Sequence, residues 1–192
     1  MTRARTAAVV LAASLSGCVT TPIQLDGHQM GGSTTATAAP QKRLARRAAL
    51  PRVAIAPIED RRSGDSAGYV AGRTVTVKAP GAWLDGQLAA MSSAAFEVVS
   101  EGELDPAPAL VVHPRVLKAY MSAMSTSKTA VVVLEVETVA PDGQATTHQY
   151  RGQYVSVNWA SGEDEVKEAL RSAALSCLDQ LRVDLEAQLL KS

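Results

Sequence analysis

Lys128-Thr129-Ala130-Val131-Val132-Val133-Leu134-Glu135-Val136-Glu137-Thr138-Val139 is the run that decides the fold. Its β-branched residues and alternating character predict a long strand. Pro141-Asp142-Gly143 follows, and Asp-Gly readily takes the positive φ values a tight hairpin requires. The chain therefore turns back, and Gln144 to Trp159 returns as a second strand. Tyr150, Gly152, Tyr154, Ser156 and Asn158 fall on one side of it, and Arg151, Gln153, Val155, Val157 and Trp159 on the other. Upstream, Ala109 to Tyr120 (ALVVHPRVLKAY) reads as a third strand, joined through the Ser/Thr/Met-rich turn 121–127. Pro114 cannot donate a ladder hydrogen bond, which implies an edge position or a bulge. The three strands are expected to form an antiparallel meander.

C-terminal to the meander lies the clearest helix. Val166, Leu170, Ala174, Cys177, Leu178, Leu181, Leu185 and Leu189 recur at three- and four-residue steps, which makes one long apolar stripe. Ser161 or Gly162 can cap it, and Glu163, Asp164 and Glu165 set negative charge at the positive end of the helix dipole. On the N-terminal side, Arg52 to Ile58 reads as a short strand closed at Pro57, and residues 59–65 as a polar loop. Gly72 to Lys78 reads as a strand, residues 82–95 as an amphipathic helix, and Phe96 to Ser100 as another strand. One apolar helix stripe needs one sheet face to cover. The expected fold is therefore α+β: an antiparallel or mixed sheet of five to six strands with two helices packed on one face, over residues 51–192.

The N-terminus carries an address. Arg3 and Arg5 precede the apolar segment Thr6 to Ser14, which is too short to span a membrane at the roughly 20 residues a helix needs. Leu15-Ser16-Gly17-Cys18 then resembles the lipobox of bacterial lipoproteins. That resemblance implies that residues 1–17 are removed and that Cys18 is acylated, which anchors the chain durably. Val19 stands where Asp would retain an enteric lipoprotein at the inner membrane, so the periplasmic face of the outer membrane is the expected location. Residues 18–50, rich in Thr, Ala, Gly and Gln, read as a flexible tether spanning about 30 Å. Lys42, Arg43, Arg46 and Arg47 end it as a solvated basic cluster, with weak headgroup contact as the sharper reading.

Composition narrows the chemistry. Residues 1–17 hold two of the 19 basic residues and none of the 19 acidic ones, so the remaining 175 residues carry a net charge of −2. Nothing in that balance points to nucleic acid. Only two Cys are present. With Cys18 acylated, Cys177 stands alone and reads as a buried helical thiol. His28, His113 and His148 have no metal-ligand spacing, and HExxH, CxxC, GxSxG and phosphate-loop motifs do not occur. Glu135 and Glu137 share one strand face and read as solvated residues rather than a catalytic pair. No catalytic residue, metal or cofactor is expected, and the chain is read as a non-enzyme.

The lipobox, the strand ending in Asp60-Arg61, the strand Tyr150-Arg151-Gly152-Gln153-Tyr154 and the helix end Asp184-Leu185-Glu186-Ala187-Gln188-Leu189-Leu190 together resemble the YajG-like lipoprotein family over roughly residues 52–190. The long tether and Arg62, where Pro is usual, depart from that pattern. The resemblance implies a periplasm-facing lipoprotein without known catalytic residues. A broader likeness is to accessory lipoproteins of envelope transport systems. The expected role is a binding module for an envelope protein complex, with Val111, Val112 and Arg115 on the strand edge that receives a partner strand. The alternative is a carrier of a lipid or other small ligand, with Trp83 and Leu88 facing it in a cavity shared with Leu84, Val155 and Leu181.

Overall fold

The computed structural model describes residues 21–30, 50–91, 93–102, 107–124, 126–157 and 162–191. Cys18, the basic cluster at 42–47, Trp159 and Ser161 lie outside the described residues. The elements run β1 (Ile23–Asp26), α1 (Gly27–Met30), β2 (Arg52–Ile55), β3 (Glu59–Asp60), β4 (Ser66–Val70), β5 (Arg73–Lys78), α2 (Pro80–Ala89), β6 (Glu97–Ser100), β7 (Leu110–Ala123), β8 (Ser127–Val139), β9 (Ala145–Val157) and α3 (Glu163–Leu189).

The meander β7–β8–β9 forms as the alternation dictates, antiparallel throughout. Along β8, Ala130, Val132, Leu134, Val136 and Thr138 are buried at every second position, so one face is the core face. β7 is the spine of the molecule. Its one side pairs with β8, while its other side receives β2, β3 and β4 end to end, all parallel to it. Beyond β2 lies β6, and beyond β4 lie β5 and then β1. Among the described residues the result is a mixed nine-stranded sheet.

Three of these strands exceed the expected five to six. Four residues, Ile23–Asp26, are too few for periodicity to mark a strand, yet Ile23 and Leu25 are buried when β1 docks parallel to β5. Residues 23–30, with buried Met30, therefore belong to the folded domain and not to a tether. β3 is only two residues long and exists because Glu59 and Asp60 align with Arg115 and Val116. β4 was hidden in a Gly-containing polar stretch, where Gly68 at φ +103° breaks the ladder register between Ser66 and Tyr69.

Both longer helices contribute to one core on one face of the sheet, through Trp83, Leu84 and Leu88 of α2 and Val166 to Leu185 of α3. Gly162 caps α3, which carries its three acidic residues in the first turn. Buried Lys128 at the start of β8 pairs with Glu165, tying that first turn to the sheet. Gly152 sets how closely α3 approaches. A Cβ there would collide with the Ala173 carbonyl oxygen and come within 2.6 Å of the Cys177 nitrogen. Both obstacles are helix backbone, which cannot swing aside. Overpacking of a close-packed site costs about 1–3 kcal/mol, occasionally more. Gly152→Ala is expected to cost about 3 kcal/mol or more by urea denaturation. Gly64→Ala, where nothing lies within 4 Å, should stay within about 0.5 kcal/mol of the wild type.

Candidate functional site

Val111, Val112 and Arg115 are not on an edge. Ala54 and Ile55 of β2 stand beside Val111 and Val112 on one side, and Val139 and Thr138 of β8 on the other. Arg115 sits between Glu59 of β3 and Glu135 of β8. Pro114 is accommodated by a break in the strands beside it. The Val112 carbonyl accepts from Ala56 N–H at 2.9 Å, and the Val116 carbonyl from Arg61 N–H at 2.9 Å. Pro114, two residues from each, turns its missing N–H toward the break between β2 and β3. A proline in a central strand is tolerated where its neighbour has already left the ladder. A bulge does occur in β7, between Val116 and Lys118. Among the described residues, the strands with one unpaired edge are β1, β3, β6 and β9.

The ligand-facing pair divides. Trp83 is wholly buried in the core, together with Leu84 and Leu181. Val155 lies on the opposite face of the sheet and is exposed. The expected cavity among these residues is therefore not formed. Leu88 does line an open crevice of about 740 Å³, where α2 overhangs the carboxyl ends of β2 and β6. Its apolar wall is Ile55, Pro57, Leu88, Ala89 and Val98, with Ser100 and Glu101 at the rim. Asp85 accepts a hydrogen bond from Ile58 N–H at 3.0 Å, which pins the turn after Pro57 to α2 and shapes the mouth. The carboxyl ends of parallel strands are where open sheets place their ligand crevices. The residues come from three separate segments, 55–57, 85–89 and 98–102, so no local motif announced them.

On the helix-free face a polar cluster surrounds Arg115. Its guanidinium contacts Glu137 at 2.9 Å, Glu135 at 3.4 Å and Glu59 at 3.5 Å. The hydrogen bond to Glu137, against some desolvation, holds Arg115 even above its ordinary range. Glu135 and Glu137 thus have a cation between them, which their shared strand face allowed and the sequence reading left out. His113 borders the same shallow hollow. His28 and His148 sit on α1 and β9, so the three histidines are not brought together. Among the described residues, no group of His, Cys, Asp or Glu could hold a metal ion. Arg115→Met should lower the melting temperature by leaving three carboxylates facing one another. That deficit should shrink in 1 M NaCl, where a Debye length of about 3 Å screens the repulsion.

Cys177 is buried against β9, its Sγ 3.3 Å from the Tyr150 carbonyl oxygen. Burial pushes the thiol up to about 11. It is therefore protonated at pH 8, and the thiolate is the reactive form. A disulfide reagent such as DTNB at pH 8 should leave Cys177 unmodified in the native chain and react fully in 6 M guanidinium chloride. Burial likewise raises the neighbouring Tyr150 hydroxyl, helped by its hydrogen bond to Asp184.

No family model matches the sequence, and no curated protein is similar to it. A solved structure does share the architecture. Protein XCC0632 from Xanthomonas campestris, of family model DUF330, superposes with a TM-score of 0.50 at 11% identity, covering 73% of this chain and 89% of that one. Lipoprotein GNA1162 from Neisseria meningitidis gives 0.36 at 11% identity over 68% of this chain and 99% of that one. The hypothetical protein CT253 from Chlamydia trachomatis gives 0.42 at 11% identity, over 70% and 96%. At this identity the likeness to XCC0632 is one of fold, and the two looser ones carry no argument. Among the described residues, no helix is long and apolar enough to cross a membrane.

Proposed function

We propose that this chain is a bacterial lipoprotein, acylated at Cys18 and held at the periplasmic face of the outer membrane, that serves as a non-catalytic binding module for an envelope protein complex. The observation that carries the binding role is the apolar crevice beside β6. β6 is four residues long and pairs only with β2 among the described residues. An extended segment of a partner would add to its free edge through main-chain hydrogen bonds and lower an apolar side chain into the crevice between Val98 and Leu88. Asp85 and Glu101 at the mouth favour a basic residue beside that anchor. The lipobox and the YajG-like resemblance support the membrane address.

A second reading rests on the same space. At about 740 Å³ the crevice falls within the range of roughly 300–1,000 Å³ that small-ligand sites occupy. An apolar chain could lie there in place of a peptide side chain, as a carrier would require. One comparison separates the two. Wild-type and Ala89→Trp chains, solubilised in detergent and purified side by side, are analysed for proteins and lipids by mass spectrometry. Ala89 is exposed and lines the crevice, so the indole fills it without entering the core. A protein retained by the wild type and lost from the variant supports the docking role, and a lipid behaving so supports the carrier role. Identical recoveries from both chains would remove the crevice from either.

A further inference from the structure

The helix-free face of the sheet is divided into two halves. In the half where β7 ends and β8 begins, the cross-strand ranks are Lys118–Val133–Arg151, Tyr120–Val131–Gln153 and Ser122–Thr129–Val155, followed by Ser127–Val157. Tyr69 of β4 extends the third rank beside Ser122. The Tyr120 ring lies over Gly68 and carries the Lys118 ammonium 5.0 Å from its centre. These ranks contain no carboxylate. Glu59, Glu135 and Glu137 all stand in the other half, around Arg115.

Apolar exposure is concentrated in the same place. Tyr69 is 56% exposed, Val155 56% and Val157 54%, and Met124 in the β7–β8 turn is 76% exposed. An uncovered patch of this kind, rimmed by basic residues, marks an interaction surface. Tyrosines and long basic side chains are also what a bilayer interface selects.

The occupant follows from where the chain enters. β5 begins at Arg73, adjoining Tyr69 through the Tyr69–Thr74 pair. The Arg73 Nε donates to the Thr21 carbonyl at 2.6 Å, fixing residue 21 at this end of the sheet. Only Val19 and Thr20 then separate Thr21 from Cys18. Three residue steps reach at most about 11 Å. On the reading of Cys18 as acylated, its acyl chains attach within that reach of this corner, far closer than the roughly 30 Å of a flexible tether would allow. The acidic first turn of α3 is nearby but on the other face of the sheet, where Lys128 meets Glu165.

We propose that the face bearing Tyr69, Tyr120, Met124, Val155 and Val157, flanked by Lys118 and Arg151, rests on the surface of the bilayer that holds the Cys18 acyl chains. This rests on the reading of Cys18 as acylated. Lys118 and Arg151 engage anionic headgroups while the tyrosines and valines enter the interface. The crevice beside β6 then remains open to the periplasm.

The test uses the full acylated chain in vesicles of phosphatidylethanolamine and phosphatidylglycerol at 3:1, with a spin-labelled lipid as quencher. Val155→Cys, Val157→Cys and Glu137→Cys are each labelled with a thiol-reactive fluorophore; acylation blocks Cys18, and burial protects Cys177. Retained circular dichroism selects the variants that fold. The quencher should reduce fluorescence at 155 and 157 at least twofold and leave 137 unchanged. Equal quenching at all three, or none at 155 and 157, overturns the proposal, including the case in which a second copy or a protein covers the face. Mass spectrometry of the same sample separates the premises. Acyl chains on Cys18 with flat quenching sink the docked face alone, whereas an unmodified Cys18 sinks the anchor and the docked face together.

Discussion

The close seating of α3 on β8 and β9 is the constraint from which the rest of the structure follows. A 27-residue helix brings nine buried side chains to a single stripe. That stripe is covered only if the helix backbone comes down onto the sheet. Gly152 permits it by leaving no Cβ between β9 and the backbone at Ala173 and Cys177. Small residues on the helix side, Ala169, Ala173, Ala174 and Cys177, complete the approach. Dispersion contacts fall away steeply with any gap, so a distance set by one glycine governs the packing of the whole layer. Gln180 adds a polar stitch, donating to the Arg151 carbonyl of β9 at 2.9 Å.

With both helices committed to one face, the other face of the sheet is left to water or to a neighbour. β7 organises what that face presents. Its length allows β2 and β4 to share one side of it, and each recruits its own outer strands. The gap between these two branches, bridged by the two residues of β3, is where Pro114 sits, while the crevice opens beneath α2 at the ends of β2 and β6. The same spine separates the outer face into a half with charge pairs and a half without carboxylates. Position relative to β7 thus distributes the roles: a recess toward β6, a neutralised ionic cluster at Arg115, and an apolar, basic-rimmed surface near the entry of the chain.

The arrangement also revises how an N-terminal anchor relates to the folded domain. Arg73 holds the chain at Thr21, and β1 buries Ile23 and Leu25 immediately afterwards. A lipid on Cys18 would then act as a short hinge at one corner and set the orientation of the sheet against the bilayer. β1, before the Thr-, Gly- and Ala-rich stretch of sequence that follows Met30, and β2, after it, belong to the same sheet.

Periodicity alone determined the meander and the long helix, because thirteen-residue strands and a seven-turn stripe repeat a local rule many times over. It equally determined that Cys177 would be an inert packing thiol, since its neighbours at helical spacing are apolar. What sequence could not decide was every feature that depends on two distant segments meeting. β1, β3 and β4 are short enough that only their pairing partners make them strands. Pro114 carried the right local meaning, a missing donor, but whether that donor faces solvent or a break between neighbours is settled by the strand beside it. Trp83 and Leu88, at helical spacing on one element, both enter the core, and only the packing of distant segments leaves Leu88 also lining a crevice. Local propensity specifies the long elements; the short strands, edges, recesses and faces left uncovered are properties of how the elements pack, and tertiary structure alone assigns them.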